Sequence, residues 1–268
     1  MSSQLNMPSV DYNYKEFLGG NAEQMQLLLS GKDNNGIVVD VPRVPISVFG
    51  VMEQRIVVFE FLKLASNRGW RAYRRLGSHY EVVQNFTEIM ENWFDKRIDT
   101  CDGVVRHSDG RLKVVLDAQY LRQLTHDTKL VDGAVPLSDD VYRGLSGEEF
   151  SSKQVGQYFN KPLSRGEAKQ HPVWLSLLRG DQGLLNMAVN VIFSQANGRL
   201  GGVGKMMGIY TPSAPKEGAS GRLWSVCRLD DYINYSRANG SSHLDDLNGR
   251  LVGVAPEAPR AATLERRV

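Results

Sequence analysis

Apolar residues recur every three or four positions in several stretches of the chain, a spacing that predicts helices. In the stretch from Val51 to Ser66, Met52, Ile56 and Phe59 fall on one stripe. Pro172 interrupts another such stretch, which indicates a kink or two short helices there. The predicted helices cover residues 21–30, 51–66, 82–96, 147–159, 165–179 and 182–197.

Short apolar runs bounded by turn residues predict strands between these helices. They lie at residues 37–41, 70–76, 206–212, 221–229 and 250–255, and a hairpin precedes residue 119. The predicted fold is α+β, with helices packed on a mainly antiparallel sheet and a β-rich C-terminal part. We expect a flexible arm at 1–12, one compact domain at 13–255 and a flexible tail at 256–268, with a soft boundary near residue 135 as an alternative.

The hairpin is the most informative segment, because its turn suggests which residues face each other. Asp109–Gly110 is typical of a two-residue type I′ turn. That turn places Val104 opposite Val115 and Asp102 opposite Asp117, with apolar residues on the other face. The sequence therefore predicts two aspartates side by side on one face of the sheet.

Two carboxylates in that position repel each other unless something offsets the repulsion. A divalent metal bound by Asp102 and Asp117 would do so, since hard cations prefer oxygen ligands. Solvent or the nearby cations Arg106 and Lys113 would also suffice. Alternatively, Asp117 caps the next helix and Asp102 ends its strand in solvent. A divalent metal is thus the one cofactor that the sequence suggests.

Three segments around the hairpin carry a family resemblance: GSHYEVVQ (77–84), RID (97–99) and VVLDAQ (114–119). Over about residues 77–125, their order of helix and then hairpin resembles the core of the PD-(D/E)xK nucleases. The resemblance implies metal-dependent cleavage of nucleic acid, with Asp102, Asp117 and Gln119 at the catalytic positions. Gln119 stands where the family has lysine, so a degenerate core that only binds is equally allowed.

A second candidate site is the segment NRGWRAYRR (67–75), which combines arginine with aromatic residues. Such a surface suits phosphates and unpaired bases, and it equally suits a protein interface. The alternative is a solvated edge strand protected by its charge. The predicted contact residues, for nucleic acid or a protein partner, are Arg68, Trp70, Arg71, Tyr73, Arg74 and Arg75.

The amino-acid composition says more about the cellular compartment than about the chemistry of the protein. The net charge of +2 provides no overall basic field, so any nucleic-acid site must be a local patch. Two distant cysteines, Cys101 and Cys227, favour a reducing compartment, and we expect a cytoplasmic protein. The longest strongly apolar run stops at Glu60, so we expect no membrane span.

Two functions remain open on the sequence alone. The first is a nucleic-acid-associated protein with a nuclease-like hairpin core, whose catalytic activity Gln119 puts in doubt. The second is a non-catalytic interaction subunit of a larger protein assembly, in which oligomerisation is also allowed. The first requires Asp102, Asp117 and Gln119 to converge in a concave basic site. The second expects those aspartates in solvent or at a helix cap.

Overall fold

A computed structural model describes residues 14–33, 35–40, 42–67, 93–200, 204–228, 236–247 and 250–254. The predicted arm at 1–12, the tail at 256–268 and the strand at 70–76 lie outside the described residues. The same holds for residues 82–92 of the helix predicted at 82–96.

The helices confirm most of the helical spacing in the sequence. The predictions at 21–30 and 51–66 are confirmed, and 165–179 forms two short helices around Pro172. Across the described residues, no helix is long and apolar enough to cross a membrane. The helices are α1 (Asn21–Ser30), α2 (Val48–Asn67), α3 (Gln119–Arg122), α4 (Asp139–Gly144), α5 (Ser152–Tyr158), α6 (Arg165–Lys169), α7 (Pro172–Leu177) and α8 (Gln182–Leu200).

Eleven described strands form one mixed sheet, so the α+β prediction is confirmed in its coarse form. The strands are β1 (Tyr14–Leu18), β2 (Val44–Pro45), β3 (Ile98–His107), β4 (Leu112–Val115), β5 (Val135–Leu137), β6 (Glu148–Phe150), β7 (Lys161–Ser164), β8 (Lys205–Tyr210), β9 (Ala219–Val226), β10 (Ala238–Asn239) and β11 (Arg250–Val254). The main path runs β1-β11-β3-β9-β10-β8-β7, with β2 beside β11, β4 beside β3, β6 beside β4 and β5 beside β9. Two pairings are parallel, β11 with β3 and β10 with β8.

Apolar side chains cover both faces of the sheet, because successive residues of a strand point to opposite sides. On β3, Val104 belongs to a core with α2, α7 and α8, which includes the buried Trp174 and Trp224. Its neighbour Val105 belongs to a second core with α1, α3 and α4. The sheet is therefore the middle layer, and polar chemistry is left to its ends and edges.

Two sequence predictions fail for local reasons. Residues 148–150 form strand β6 on β4, so the helix predicted at 147–159 begins only at Ser152, after a capping box of Ser151 and Gln154. The strand predicted at 37–41 is an isolated bridge between Lys32 and Val38. There the chain folds back, and the Gly31 carbonyl accepts hydrogen bonds from two N–H groups of the segment.

Candidate functional site

The hairpin turn has three residues, 108–110, and not the two that the sequence predicts. The His107 N–H donates to the Arg111 carbonyl at 3.0 Å, and the Gly110 N–H donates to the His107 carbonyl. Gly110 has a φ of 89°, and an Asp109 carboxylate oxygen accepts the Arg111 N–H. A turn closed by one left-handed glycine is the usual three-residue hairpin. The type I′ prediction is therefore wrong.

The extra loop residue moves the register by one position. Val104 pairs with Val114 and Gly103 with Val115, so the predicted pairing of Asp102 with Asp117 is wrong. The slip also changes the environment of Lys113, because a one-residue shift exchanges the faces of a strand. Lys113 is buried, and its Nζ donates to carbonyl oxygens at the end of α4.

Asp102 serves as a cap for two backbone segments. Its carboxylate is fully buried and accepts the Val48 N–H at 2.7 Å and the Asp117 N–H at 2.9 Å. Val48 is the first residue of α2, where N–H groups lack a partner within the helix. Burial raises the pKa of Asp102, and the two N–H donors act in the opposite direction.

Asp117 and Gln119, the other two candidates, are exposed. Asp117 has a φ of 49°, and its carboxylate accepts from Arg122 Nε at 2.8 Å and Nη2 at 2.6 Å. The N-cap of α3 is Ala118, and Gln119 is the first residue of that helix. Within the described part of the chain, no three His, Cys, Asp or Glu side chains are grouped to hold a metal ion.

Asp99, a member of the RID segment, is the acidic residue whose role the sequence did not reveal. Its buried carboxylate accepts from Asn21 Nδ2 at 3.1 Å, from Ser225 Oγ at 2.5 Å and from the Arg250 N–H at 2.8 Å. Arg97 Nε lies 3.4 Å away. Asp99 thus ties α1, β9 and β11 to the start of β3.

Next to Asp99, the ends of several strands form a cleft rich in cations, which we call the basic cleft. Its volume is about 420 Å³. The described residues that line it are Asp95, Lys96, Arg97, Cys227, Arg228, Arg237, Asn239 and Arg250. These residues come from separate segments of the chain, around 96, 228, 238 and 250, so no local pattern could have indicated the cleft.

Several cations of the basic cleft are held in place by neighbours. Arg97 Nη1 lies 3.3 Å from a carboxylate oxygen of Asp246. The Arg237 guanidinium lies over the Tyr210 ring, 5.2 Å from its centroid, a distance typical of cation–π contact. The Cys227 N–H donates to the Arg237 carbonyl at 2.9 Å, which extends the β9–β10 ladder. The cleft is therefore an ordered part of the sheet.

A larger cleft of about 800 Å³ lies beside β9, and we call it the β9 cleft. Its walls are β5, the loop at 211–218 and the turn that contains Asp132. Arg222 on β9 donates to the carbonyls of Asp132 and Ser241, and burial lowers its pKa. Arg222 therefore fixes the floor of the cleft.

The predicted arginine-aromatic surface cannot be placed. Its residues Arg68, Trp70, Arg71, Tyr73, Arg74 and Arg75 lie outside the described residues. They follow α2, which ends at Asn67. The prediction of a nucleic-acid or protein contact there stays a prediction.

Comparisons with known proteins bear on the fold. No family model and no curated protein matches the chain. A solved structure described as the accommodation of massive sequence variation in Nanoarchaeota by the C-type lectin fold is similar over 92% of this chain and 100% of its own length. Its TM-score is 0.56 at 14% sequence identity. The fold resembles the C-type lectin fold. At that identity the likeness concerns the fold alone.

Proposed function

We propose that the protein is a non-catalytic interaction subunit that recognises a partner protein through the β9 cleft. The observation that carries the proposal is the use of Asp102. Its carboxylate is buried and occupied by two backbone N–H groups, of Val48 and Asp117. A carboxylate in that position supports the fold. It is buried and not in solvent, and its contact with the first N–H of α2 is a helix-capping role, which is the part of the interaction hypothesis that it fits.

The lining of the β9 cleft suits a protein partner. Pro136, Pro212 and Pro215 contribute apolar surface, and the exposed Lys216 and Glu217 supply charge. Protein interfaces outside obligate assemblies commonly mix apolar and polar surface in this way. The prolines also restrict the backbone, which reduces the entropy lost when a partner binds.

The structural neighbour supports a division between scaffold and surface. That protein is described as accommodating massive sequence variation on the C-type lectin fold. Here the exposed side chains of Ser213, Lys216 and Glu217 line the β9 cleft and belong to neither hydrophobic core. Changes at such positions alter recognition with little effect on stability.

Site-specific photocrosslinking tests the proposal. A photoreactive residue at Lys216 is expected to give one defined crosslinked protein in extracts of the cells that make this chain. The same residue at Lys153, exposed on α5, is the matched control and is expected to give none. Lys216→Ala with Glu217→Ala should weaken binding of the identified partner. Equal crosslinking at both positions would contradict the proposal.

Association with nucleic acid remains a second candidate, and the basic cleft favours it. The net charge of the chain is only +2, so a local concentration of cations is needed. The basic cleft supplies one at a place different from the predicted hairpin site. Divalent-metal-dependent cleavage of DNA or RNA by the wild type, lost in Asp117→Ala, would instead restore the nuclease hypothesis.

A further inference from the structure

We infer that the partner presents a carboxylate group, and that Arg222 and Thr211 bind this group on the floor of the β9 cleft. The inference rests on the proposed function and deepens it, because it names the chemistry that the cleft recognises. Three observations carry it: two buried polar atoms in the cleft, the neutral partners of Arg222, and the strand pairing that brings Thr211 to the same place.

Two side chains that line the β9 cleft keep a polar atom that has no hydrogen-bond partner within the described part of the chain. These atoms are Nε of Arg222 and Oγ1 of Thr211, and each of the two residues is only 8% exposed. Native proteins leave few buried polar groups unpaired, because an unpaired group has lost its water and gained nothing. A ligand group in the cleft that accepts from both atoms removes this cost.

The hydrogen bonds of Arg222 all go to neutral groups. Its guanidinium donates to the carbonyl oxygens of Asp132 and Ser241, which hold the plane of the group in one orientation. Among the described residues, no carboxylate forms an ion pair with it at 4.0 Å or less. Burial lowers the pKa of Arg222, and the charges of Asp132 and Asp245 act in the opposite direction. Because arginine stays protonated in proteins, the floor of the cleft holds a buried positive charge that a carboxylate would neutralise.

The strand pairing brings Thr211 to the same place as Arg222. Strands β8 and β10 run in parallel, and Tyr210 pairs with Asn239. Thr211 and Ser241 follow directly where these two strands end, so they lie at the same end of the ladder. The Ser241 carbonyl is one of the two acceptors that hold Arg222. The two unpaired atoms therefore belong to one site, in which a hydroxyl and a guanidinium can donate to one carboxylate.

The other charges of the cleft favour a single carboxylate over a polyanion. Asp132 and Glu217 also line the cleft, and both residues are exposed, so solvent screens their charges. A ligand with several negative charges still meets repulsion from these two carboxylates, which discriminates against it. The cleft volume of about 800 Å³ leaves room for an acidic side chain together with the segment of the partner that carries it.

NMR of the Arg222 Nε–H group in the full-length chain, assigned by through-bond correlation, tests the inference. The probe is N-acetyl-glutamic acid amide, which carries one carboxylate, and the matched control probe is N-acetyl-glutamine amide, which has the same shape without the charge. We expect the glutamate probe to shift the Nε–H resonance in a saturable manner, with a Kd on the order of 1 mM. The glutamine probe should bind at least about tenfold more weakly.

Thr211→Val is the test variant, because valine keeps the shape of threonine and lacks the hydroxyl. We expect it to bind the glutamate probe about five- to tenfold more weakly. Its stability in urea should equal or exceed that of the wild type, because the lost hydroxyl is buried without a partner among the described residues. A purely structural role of Thr211 predicts an unchanged Kd. The control is Arg143→Gln, at an exposed cation of α4 outside the cleft, which should bind within about twofold of wild type.

Three results would overturn the inference: an Arg222 Nε–H resonance that does not move at probe concentrations about tenfold above the expected Kd, equal shifts with both probes, or a Thr211→Val variant that binds the glutamate probe as the wild type does. None of them affects crosslinking at Lys216. A defined crosslink without carboxylate binding would therefore keep the proposed function and refute only the chemistry assigned to the partner.

Discussion

The aspartates of β3 and the arginines of the basic cleft lie close together but serve different ends. Asp99 and Asp102 are fully buried, and each accepts hydrogen bonds from segments distant in sequence. Arg97 and Arg228 lie at the strand ends and line an open cleft. Charges inside the sheet hold distant segments of the fold together, whereas charges at its end line an open surface.

This contrast shows that the type of a residue does not by itself determine its function. The sequence singles out Asp102 and Asp117 because carboxylates in pairs suggest metal chemistry. The structure gives Asp102 two backbone partners and gives Asp117 an arginine. Paired carboxylates within a chain segment therefore indicate a site only when their partners leave oxygen atoms free for a ligand.

The largest expected effect is that of Asp99→Ala. Its removal leaves Asn21, Ser225 and the Arg250 N–H without their buried acceptor, and it takes a carboxylate from beside Arg97. Breaking one partner of a buried ion pair costs about 3–5 kcal/mol. Urea denaturation measures the loss. Asp140→Ala, at an exposed ion pair, is the control and should change stability by under about 1 kcal/mol.

The loss of Asp99 should also affect the basic cleft, because Asp99 contacts Arg97 and the N–H of Arg250, two residues that line it. Oligothymidylate binding by folded Asp99→Asn should be weaker than by wild type. If Asp99→Asn kept the stability and the oligothymidylate binding of the wild type, Asp99 would not connect the buried aspartates to the basic cleft.

Asp102→Ala should have the next largest effect. The change leaves two buried N–H groups, of Val48 and Asp117, without an acceptor, at about 1–3 kcal/mol each. We expect a loss of about 3 kcal/mol in denaturant unfolding at neutral pH. Asp117→Asn, which removes the ion pair with Arg122 at the surface, should lose under about 1 kcal/mol. Equal losses of stability in the two variants would show that Asp102 and Asp117 contribute equally to the fold.

The raised pKa of Asp102 predicts how stability depends on pH. Between its ordinary value of 3.8 and its folded value, the native state binds more protons than the unfolded state. The contribution of Asp102 is therefore complete below pH 3.8 and falls as the pH rises through the folded pKa. Asp102→Asn lacks this titration, so its stability deficit relative to wild type should shrink between pH 4 and pH 8. A deficit that grows with pH would contradict the burial argument.

The parts that the sequence predicts well are those with local causes. Helices α1 and α2 follow from apolar spacing, and the Asp181 carboxylate accepts the Leu184 N–H at the start of α8. The Asp-Gly pair locates the hairpin turn. The register of the hairpin depends on whether Gly110 alone or both Asp109 and Gly110 adopt positive φ, and in the structure it is Gly110 alone. Composition does not decide between these turns, because Asp-Gly fits each of them.

The basic cleft could not be predicted, because its residues come together only through strand order. Arg97 lies more than a hundred residues before Arg228 and Arg250. Arg228 follows β9 and Arg250 begins β11, which joins β3 by a parallel pairing. Periodicity locates a strand but does not give its neighbour. The arginine-aromatic segment at 67–75 is the opposite case. Its local pattern is clear in the sequence, and its role as a contact surface stays a prediction.

The smallest expected effect on stability comes from the basic cleft itself. Arg228 is exposed, so Arg228→Gln should change the free energy of unfolding by no more than about 0.5 kcal/mol. Arg237→Gln loses its contact with Tyr210 and should cost about 0.5–1 kcal/mol. Thermal and urea denaturation measure both. Losses of stability as large as those of Asp99→Ala would show that these arginines, like the aspartates of β3, support the fold. The two regions would then not differ in role.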